Sequence, residues 1–275
     1  MRPLDKSAAS MLLVVFGCSG GGFGDEPPPL QSSVLGKGRS LSSLNNPVNP
    51  RPAANELIQS TGLRVVFEDR FDETGSGNVG NIFLQDFVNP PGPYQGILAF
   101  RSSFTPPSFR VSEGDVVDAT GQYVEFQPNV DFLKKERPGW TTPEINANLR
   151  LRFDAPYIPL IPMEITISDF LAYETGRPWL SMLVTARNVK LINNVTVDSA
   201  GRASAGMDVG VGVPLNLVPT ITNELFDLVA YAEEVKAQRK IDSLQGIEFE
   251  SVTGIVTLFD RFHIAPRSAD DLKLK

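Results

Sequence analysis

After Gly62 the chain runs in short stretches of β-branched and aromatic residues separated by turn signals. Leu63 to Glu68, Ile82 to Val88, Gly96 to Phe100, Val116 to Phe126, Asn146 to Phe153, Met163 to Ile167 and Trp179 to Leu191 read as strands. Between them lie Gly75-Ser76-Gly77-Asn78, Pro90-Pro91-Gly92-Pro93, Ser112-Glu113-Gly114-Asp115 and Glu174-Thr175-Gly176-Arg177-Pro178. Many short strands with this punctuation predict an all-β sandwich or barrel. Val209, Val211 and Val213 also alternate as a strand would, and His263 sits between Phe262 and Ile264 in an expected last strand. Helical spacing occurs twice. Ser168 to Tyr173 is short, while Leu225 to Lys240 places Leu225, Leu228, Val229, Ala232 and Val235 on one face. Thr222 or Asn223 is the expected N-cap of the longer helix, with Glu224 and Asp227 favoured by the dipole of its first turn.

Two strands echo each other. Gly114-Asp-Val-Val-Asp-Ala-Thr-Gly121-Gln-Tyr-Val-Glu-Phe126 and Phe249-Glu-Ser-Val-Thr-Gly254-Ile-Val-Thr-Leu-Phe259 both reach a Thr-Gly pair and continue to Phe. A mid-strand glycine lets one long strand bend sharply and serve both sheets of a small barrel. The repeat therefore points to two similar units.

The N-terminal part differs. Arg2 and Lys6 precede an apolar run from Ala8 to Phe16, too short to span a bilayer but of the length of a secretory signal. The chain's only Cys follows at position 18. Val15-Phe16-Gly17-Cys18 resembles the lipobox of Gram-negative lipoproteins, which implies cleavage before an acylated (palmitate-bearing) Cys18. Ser19 resembles the default residue for outer-membrane retention, facing either periplasm or surface. Cys18 as an incidental free thiol is the alternative. From Ser19 to about Asn55 the chain is rich in Gly, Pro, Ser and Asn, a composition that buries too little apolar surface to offset the entropy of ordering. It is expected to be a flexible tether. The expected organisation is a signal over 1–17, a tether over 18–55 and two modules over 56–160 and 161–275.

Composition removes several classes of function. With 275 residues, 41% hydrophobic and 21% charged, the chain is long and apolar enough to fold. A formal net charge of −7 argues against binding nucleic acid mainly by phosphate neutralisation. One Cys and one His exclude disulfide frameworks, Cys/His zinc clusters and any chemistry needing two imidazoles.

Phe83-Leu84-Gln85-Asp86, Gly96-Ile97-Leu98-Ala99-Phe100, Gly114-Asp115-Val116-Val117 with Gly121, and Pro266-Arg267-Ser268-Ala269-Asp270-Asp271 occur in that order. The series resembles the OB-fold-like modules found beside secreted bacterial nucleases and, in tandem without the nuclease, in outer-membrane lipoproteins. It covers about Gly62 to Leu272. The resemblance implies two consecutive OB-like small barrels. In the second, Leu180-Ser181 replaces the Glu-Gly of related modules, and the Leu225 to Lys240 helix is an insertion. No nuclease catalytic domain is expected.

OB barrels bind on one face through aromatic stacking, with a basic groove where the ligand is nucleic acid. Phe83, Phe87, Phe100, Arg101, Phe104 and Arg110 are the candidate ligand face, and Lys134, Lys135 and Arg137 would extend a basic groove. Phe109, Tyr123 and Phe126 are further candidates, although barrel strands also need rings to fill their interior. Asp69, Asp72 and Glu73, with Gly75, Gly77 and Asn78, read as a solvated turn; their spacing is not that of an EF-hand, and Ca²⁺ is left open. His263 with Ser268 and Asp270 would be needed for a nucleophile and base, but no Gly-x-Ser-x-Gly motif supports it. Pro266, Arg267, Ser268 and Asp270 read instead as a C-terminal lock in which Arg267 pairs with a carboxylate and Ser268 caps a turn. No catalytic residue, metal or cofactor is expected. The leading expectation is a non-catalytic envelope lipoprotein that binds a protein or glycan partner or serves a structural role. A nucleic-acid-binding accessory and a hydrolase are the alternatives.

Overall fold

A computed structural model describes residues 38–53, 56–77, 79–86, 90–127, 139–152, 159–210 and 212–275. Cys18, Asn78, Phe87, Lys134, Lys135 and Arg137 lie outside the described residues. The protein is all-β. Its first sheet holds β1 (Leu57–Glu68), β2 (Ile82–Asp86), β3 (Gly96–Ala99), β4 (Ser103–Thr105), β5 (Val116–Phe126) and β6 (Thr142–Leu151). Antiparallel pairing runs β3-β2-β1-β5-β6, and a parallel pairing of β3 with β6 closes a barrel of five strands; β4 continues that parallel pairing further along β6.

The second sheet holds β7 (Met163–Ile165), β8 (Leu183–Lys190), β9 (Thr196–Val197), β10 (Ala203–Gly206), β11 (Thr220–Thr222), β12 (Glu248–Leu258), β13 (Phe262–Ala265) and β14 (Leu272–Leu274). Here β8 pairs with β12, β12 with β13, β13 in parallel with β11, and β11 with β10. The ring returns to its start where Leu191 bridges Met207 and the Asp208 N–H donates to the Lys190 carbonyl. Each barrel is thus one ring in which the first strand pairs with the second and fourth, and the third pairs in parallel with the fifth. The two small barrels are OB-like and consecutive in the chain.

The glycine echo falls on the fourth strand of each barrel. A Cβ on Gly121 would sit 2.0 Å from the Asn146 carbonyl oxygen, and one on Gly254 would sit 2.5 Å from that of Ala265. The strands coil so tightly there that the neighbouring backbone occupies the side-chain position.

The helices differ from expectation at their edges. The long helix is α3 (Leu228–Arg239), and its N-cap is Asp227, whose carboxylate accepts from the Ala230 N–H. Thr222 belongs to β11, and the Asn223 amide oxygen accepts from the Ala203 N–H, so sheet pairing takes both residues from the helix. The helix joins the third strand of its barrel to the fourth. Ile167–Leu171 and Arg177–Trp179 form 3-10 turns on either side of α2 (Tyr173–Gly176), so the strand expected from Trp179 begins at Leu183. Val209 and Val213 lie in no strand, and Val211 is outside the described residues.

Part of the segment expected to be a tether is folded. Residues 38–53 dock on the first barrel, with helix α1 (Leu41–Asn45) burying Leu41 and Leu44 in its core. Ser40 caps this helix, the Leu41 N–H donates to Asp86 at 2.9 Å, and Asn45 Nδ2 donates to the Gly96 carbonyl at 2.6 Å. Two leucines three apart with a serine cap outweigh the surrounding polar composition.

Each barrel has its own apolar core, and a third cluster of Val66, Phe83, Leu183, Leu225, Ile255 and Ala265 joins them. Polar contacts reinforce the junction. Arg177, buried beside α2, donates to both oxygens of Glu125 at 2.6 and 3.1 Å and to the Tyr173 hydroxyl. Burial alone would raise the Glu125 carboxyl, but the hydrogen bonds and charge of Arg177 override it and hold the group below its ordinary range.

The C-terminal lock takes its carboxylate from Asp271. Arg267 pairs with Asp271, not Asp270, through Nε and Nη2 at 3.0 Å each, and reaches Glu113 of the first barrel at 2.7 Å. The Ser268 side chain makes no capping bond; its carbonyl accepts from the Asp271 N–H.

Candidate functional site

A cleft of about 890 Å³ opens between the barrels. Its walls come from corresponding places in the two rings. In the first barrel Phe83 pairs with Leu98, Leu98 with Glu144 and Glu144 with Val124, a row across the second, third, fifth and fourth strands. In the second barrel Gly206 pairs with Thr220, Thr220 with His263 and His263 with Thr257, the same row in the same order. All of these except Val124 line the cleft. The first row is therefore apolar with a single carboxyl, flanked in the lining by Glu73, Asn81 and Thr142; the other carries small polar groups and the chain's only imidazole.

Glu144 is 8% exposed. Among the described residues no side chain or backbone N–H hydrogen-bonds or ion-pairs with its carboxylate. Burial pushes its carboxyl up to about 7, because ionising it without a partner in an apolar row is costly.

On the facing wall the groups are mutually engaged. Thr220 Oγ1 lies 2.6 Å from His263 Nδ1, and His263 Nε2 lies 3.2 Å from Asp260 Oδ1. The other Asp260 oxygen accepts from Arg261 Nε and Nη2 at 2.9 and 2.6 Å. Burial opposes the Asp260 charge, yet the adjacent His263 ring and the hydrogen bonds from Arg261 hold it well below the usual carboxylate range. Glu224 accepts from Thr257 Oγ1 at 2.6 Å, and the Arg202 guanidinium stacks 4.0 Å from the Phe259 ring centroid at the rim.

Of the expected ligand face, the cleft gathers Phe83 and Phe100, and Phe126 joins them. Arg101, Phe104 and Arg110 do not line it. Phe104 meets Phe109 edge to face at 6.3 Å with Arg110 over its ring, and Arg101 lies over Phe100, so their stacking partners are local. Tyr123 is buried in the first barrel's core. His263 has Thr220 and Asp260 as neighbours, not Ser268 or Asp270, because β13 pairs directly with β11. In the Asp69–Gly77 turn the Asp72 carboxylate accepts from the Ser76 and Gly77 N–H groups, and Asp69 accepts from that of Phe71. Asp69 is raised to about 7, mainly by burial. Among the described residues no group of three or more His, Cys, Asp or Glu is placed to hold a metal ion, and no helix is long and apolar enough to cross a membrane.

Sequence reading missed Glu144, Thr220 and Asp260. A lone Glu between Pro143 and Ile145 in a β-rich stretch was the available sign for the first. The chain matches no family model and no curated protein.

Proposed function

We propose that the chain is a non-catalytic binding protein of the bacterial envelope, anchored in the outer membrane by a lipid on Cys18, whose ligand occupies the cleft between the barrels. The observation that carries the binding role is the pair of matched strand rows facing one cavity, whose volume falls in the range of small-molecule sites, roughly 300–1,000 Å³. The lining holds more carboxyls than guanidiniums, which weighs against a nucleic-acid strand. The likeness to modules that accompany secreted nucleases supports an accessory role rather than a chemical one.

A hydrolase is the second reading, favoured by the Thr220, His263 and Asp260 contacts at the cleft wall. Thr220→Val would abolish any esterase turnover if it held, and leave small-molecule binding if it did not.

Anchoring is tested by expressing wild type and Cys18→Ala in a Gram-negative host and following acylation by mass spectrometry and membrane fractionation. Lipid on wild type alone is expected; unacylated protein in both overturns it. Binding is tested by a thermal-shift survey of small molecules on wild type and Ser204→Phe, which narrows the cleft. Hits lost in the variant are expected, and a survey without any overturns the binding role.

A further inference from the structure

We propose that the cleft takes a small organic ammonium ion, with the Glu144 carboxylate as its counter-charge and the apolar row beside it holding the ligand's hydrocarbon body. This rests on reading the cleft as a binding site. Glu144 is more than nine-tenths buried and lines the cleft, yet its carboxylate has no hydrogen-bond or ion-pair partner among the described residues. Buried carboxyls are paired as a rule, so an unpaired one facing a cavity marks the place of a missing partner.

Most of the other charged groups of the cleft are already engaged. Asp198 accepts from the Ala200 and Arg202 N–H groups, Glu224 accepts from Thr257, and Asp260 is held by Arg261 and His263. The Arg202 charge lies near Glu73. Arg261 also donates to the Leu215 carbonyl, so neither guanidinium offsets Glu144. Among the described residues none supplies that partner, and the proposal assigns it to a cation from outside.

What kind of cation follows from the neighbours. A hard metal ion wants several oxygens, and Glu144 stands between Leu98 and Val124 with Phe83 beyond. Hydrocarbon and aromatic surface beside one carboxyl fits an ammonium carried on an apolar body, and the Phe100 and Phe126 rings in the same lining can favour its charge through their faces. The displacement of Glu144 to about 7 by burial is the direction of a carboxyl lacking its counter-charge.

The test is isothermal titration of the full chain with phenethylammonium chloride and with its neutral counterpart 2-phenylethanol, on wild type, Glu144→Gln and Ser204→Phe. Wild type is expected to prefer the ammonium roughly tenfold or more, the value of a charge-assisted contact, and Glu144→Gln to lose that preference. Thermal unfolding confirms that both variants fold. Equal binding of both probes, abolished by Ser204→Phe, overturns the ammonium proposal and leaves the cleft as a binding site. Ammonium binding unaffected by Ser204→Phe overturns the cleft reading and the proposal together. Absence of heat with either probe in the millimolar range also overturns the proposal.

Discussion

Replacing Glu144 with Gln removes a charge from the apolar row and keeps the shape of the side chain. In the folded protein burial raises this carboxyl from 4.5 to about 7. A raised acid binds more protons in the native state than in the unfolded one between those two values, so it lowers stability as pH climbs through that window. The loss is absent below the unfolded value and complete above the folded one. At about 1.4 kcal/mol per unit, the wild type forgoes roughly 3 kcal/mol at alkaline pH. Gln does not titrate. The variant should match wild type within about 1 kcal/mol near pH 4.5, on the scale of an ordinary hydrogen bond, and exceed it by roughly 3 kcal/mol above pH 8. At about 2–4 °C per kcal/mol, that is a gap in Tm of roughly 6–12 °C. Asp69, Glu73 and Asp86 are also raised by burial, but they are present in both proteins and cancel in the difference. Urea or thermal unfolding of the pair across the pH window reads the effect directly. Parallel profiles would refute the reasoning, because they would mean that Glu144 ionises in the fold as easily as in water.

Gly254→Ala forces a methyl against the Ala265 carbonyl and should cost about 1–3 kcal/mol in urea unfolding, as should Gly121→Ala against Asn146. Gly38→Ala, which meets nothing nearer than 3.9 Å, should change stability little. Arg177→Met leaves the half-buried Glu125 carboxylate without its counter-charge at the barrel junction and should cost about 3–5 kcal/mol, with part recovered when Glu125→Gln is added. A double-mutant cycle without coupling would show that Glu125 is not paired with Arg177 in solution.

The repeat was legible because its signal is local: a glycine inside a strand declares a close backbone approach, and Gly121 and Gly254 do so in the same part of each barrel. The edges of β10 and β11 were not. Ala203-Ser204-Ala205-Gly206 has little strand preference and owes its conformation to pairing with Thr220–Thr222, a tertiary effect that also took Thr222 from the helix. Composition misread residues 38–53 because two buried leucines decide more than the polar residues around them. The cleft was half visible. Phe83 and Phe100 lie on a strand or at its end within one recognisable module, but Glu144 gains its meaning from Leu98 beside it, and His263 from Thr220. Parallel pairing of a third with a fifth strand joins residues more than forty positions apart, which no local pattern announces.

The apolar cluster shared by the barrels bears on how the protein is made. Val66 and Phe83 belong to the first barrel, yet Leu183, Leu225, Ile255 and Ala265 cover them from the second. A ribosome delivers the first barrel's strands well before Ala265, so for much of synthesis that half carries a sticky bare face. Neither half is a portable part. A fragment ending between the barrels would expose the face permanently and invite self-association, and the chain's own late strands act as the built-in escort that ends the exposure.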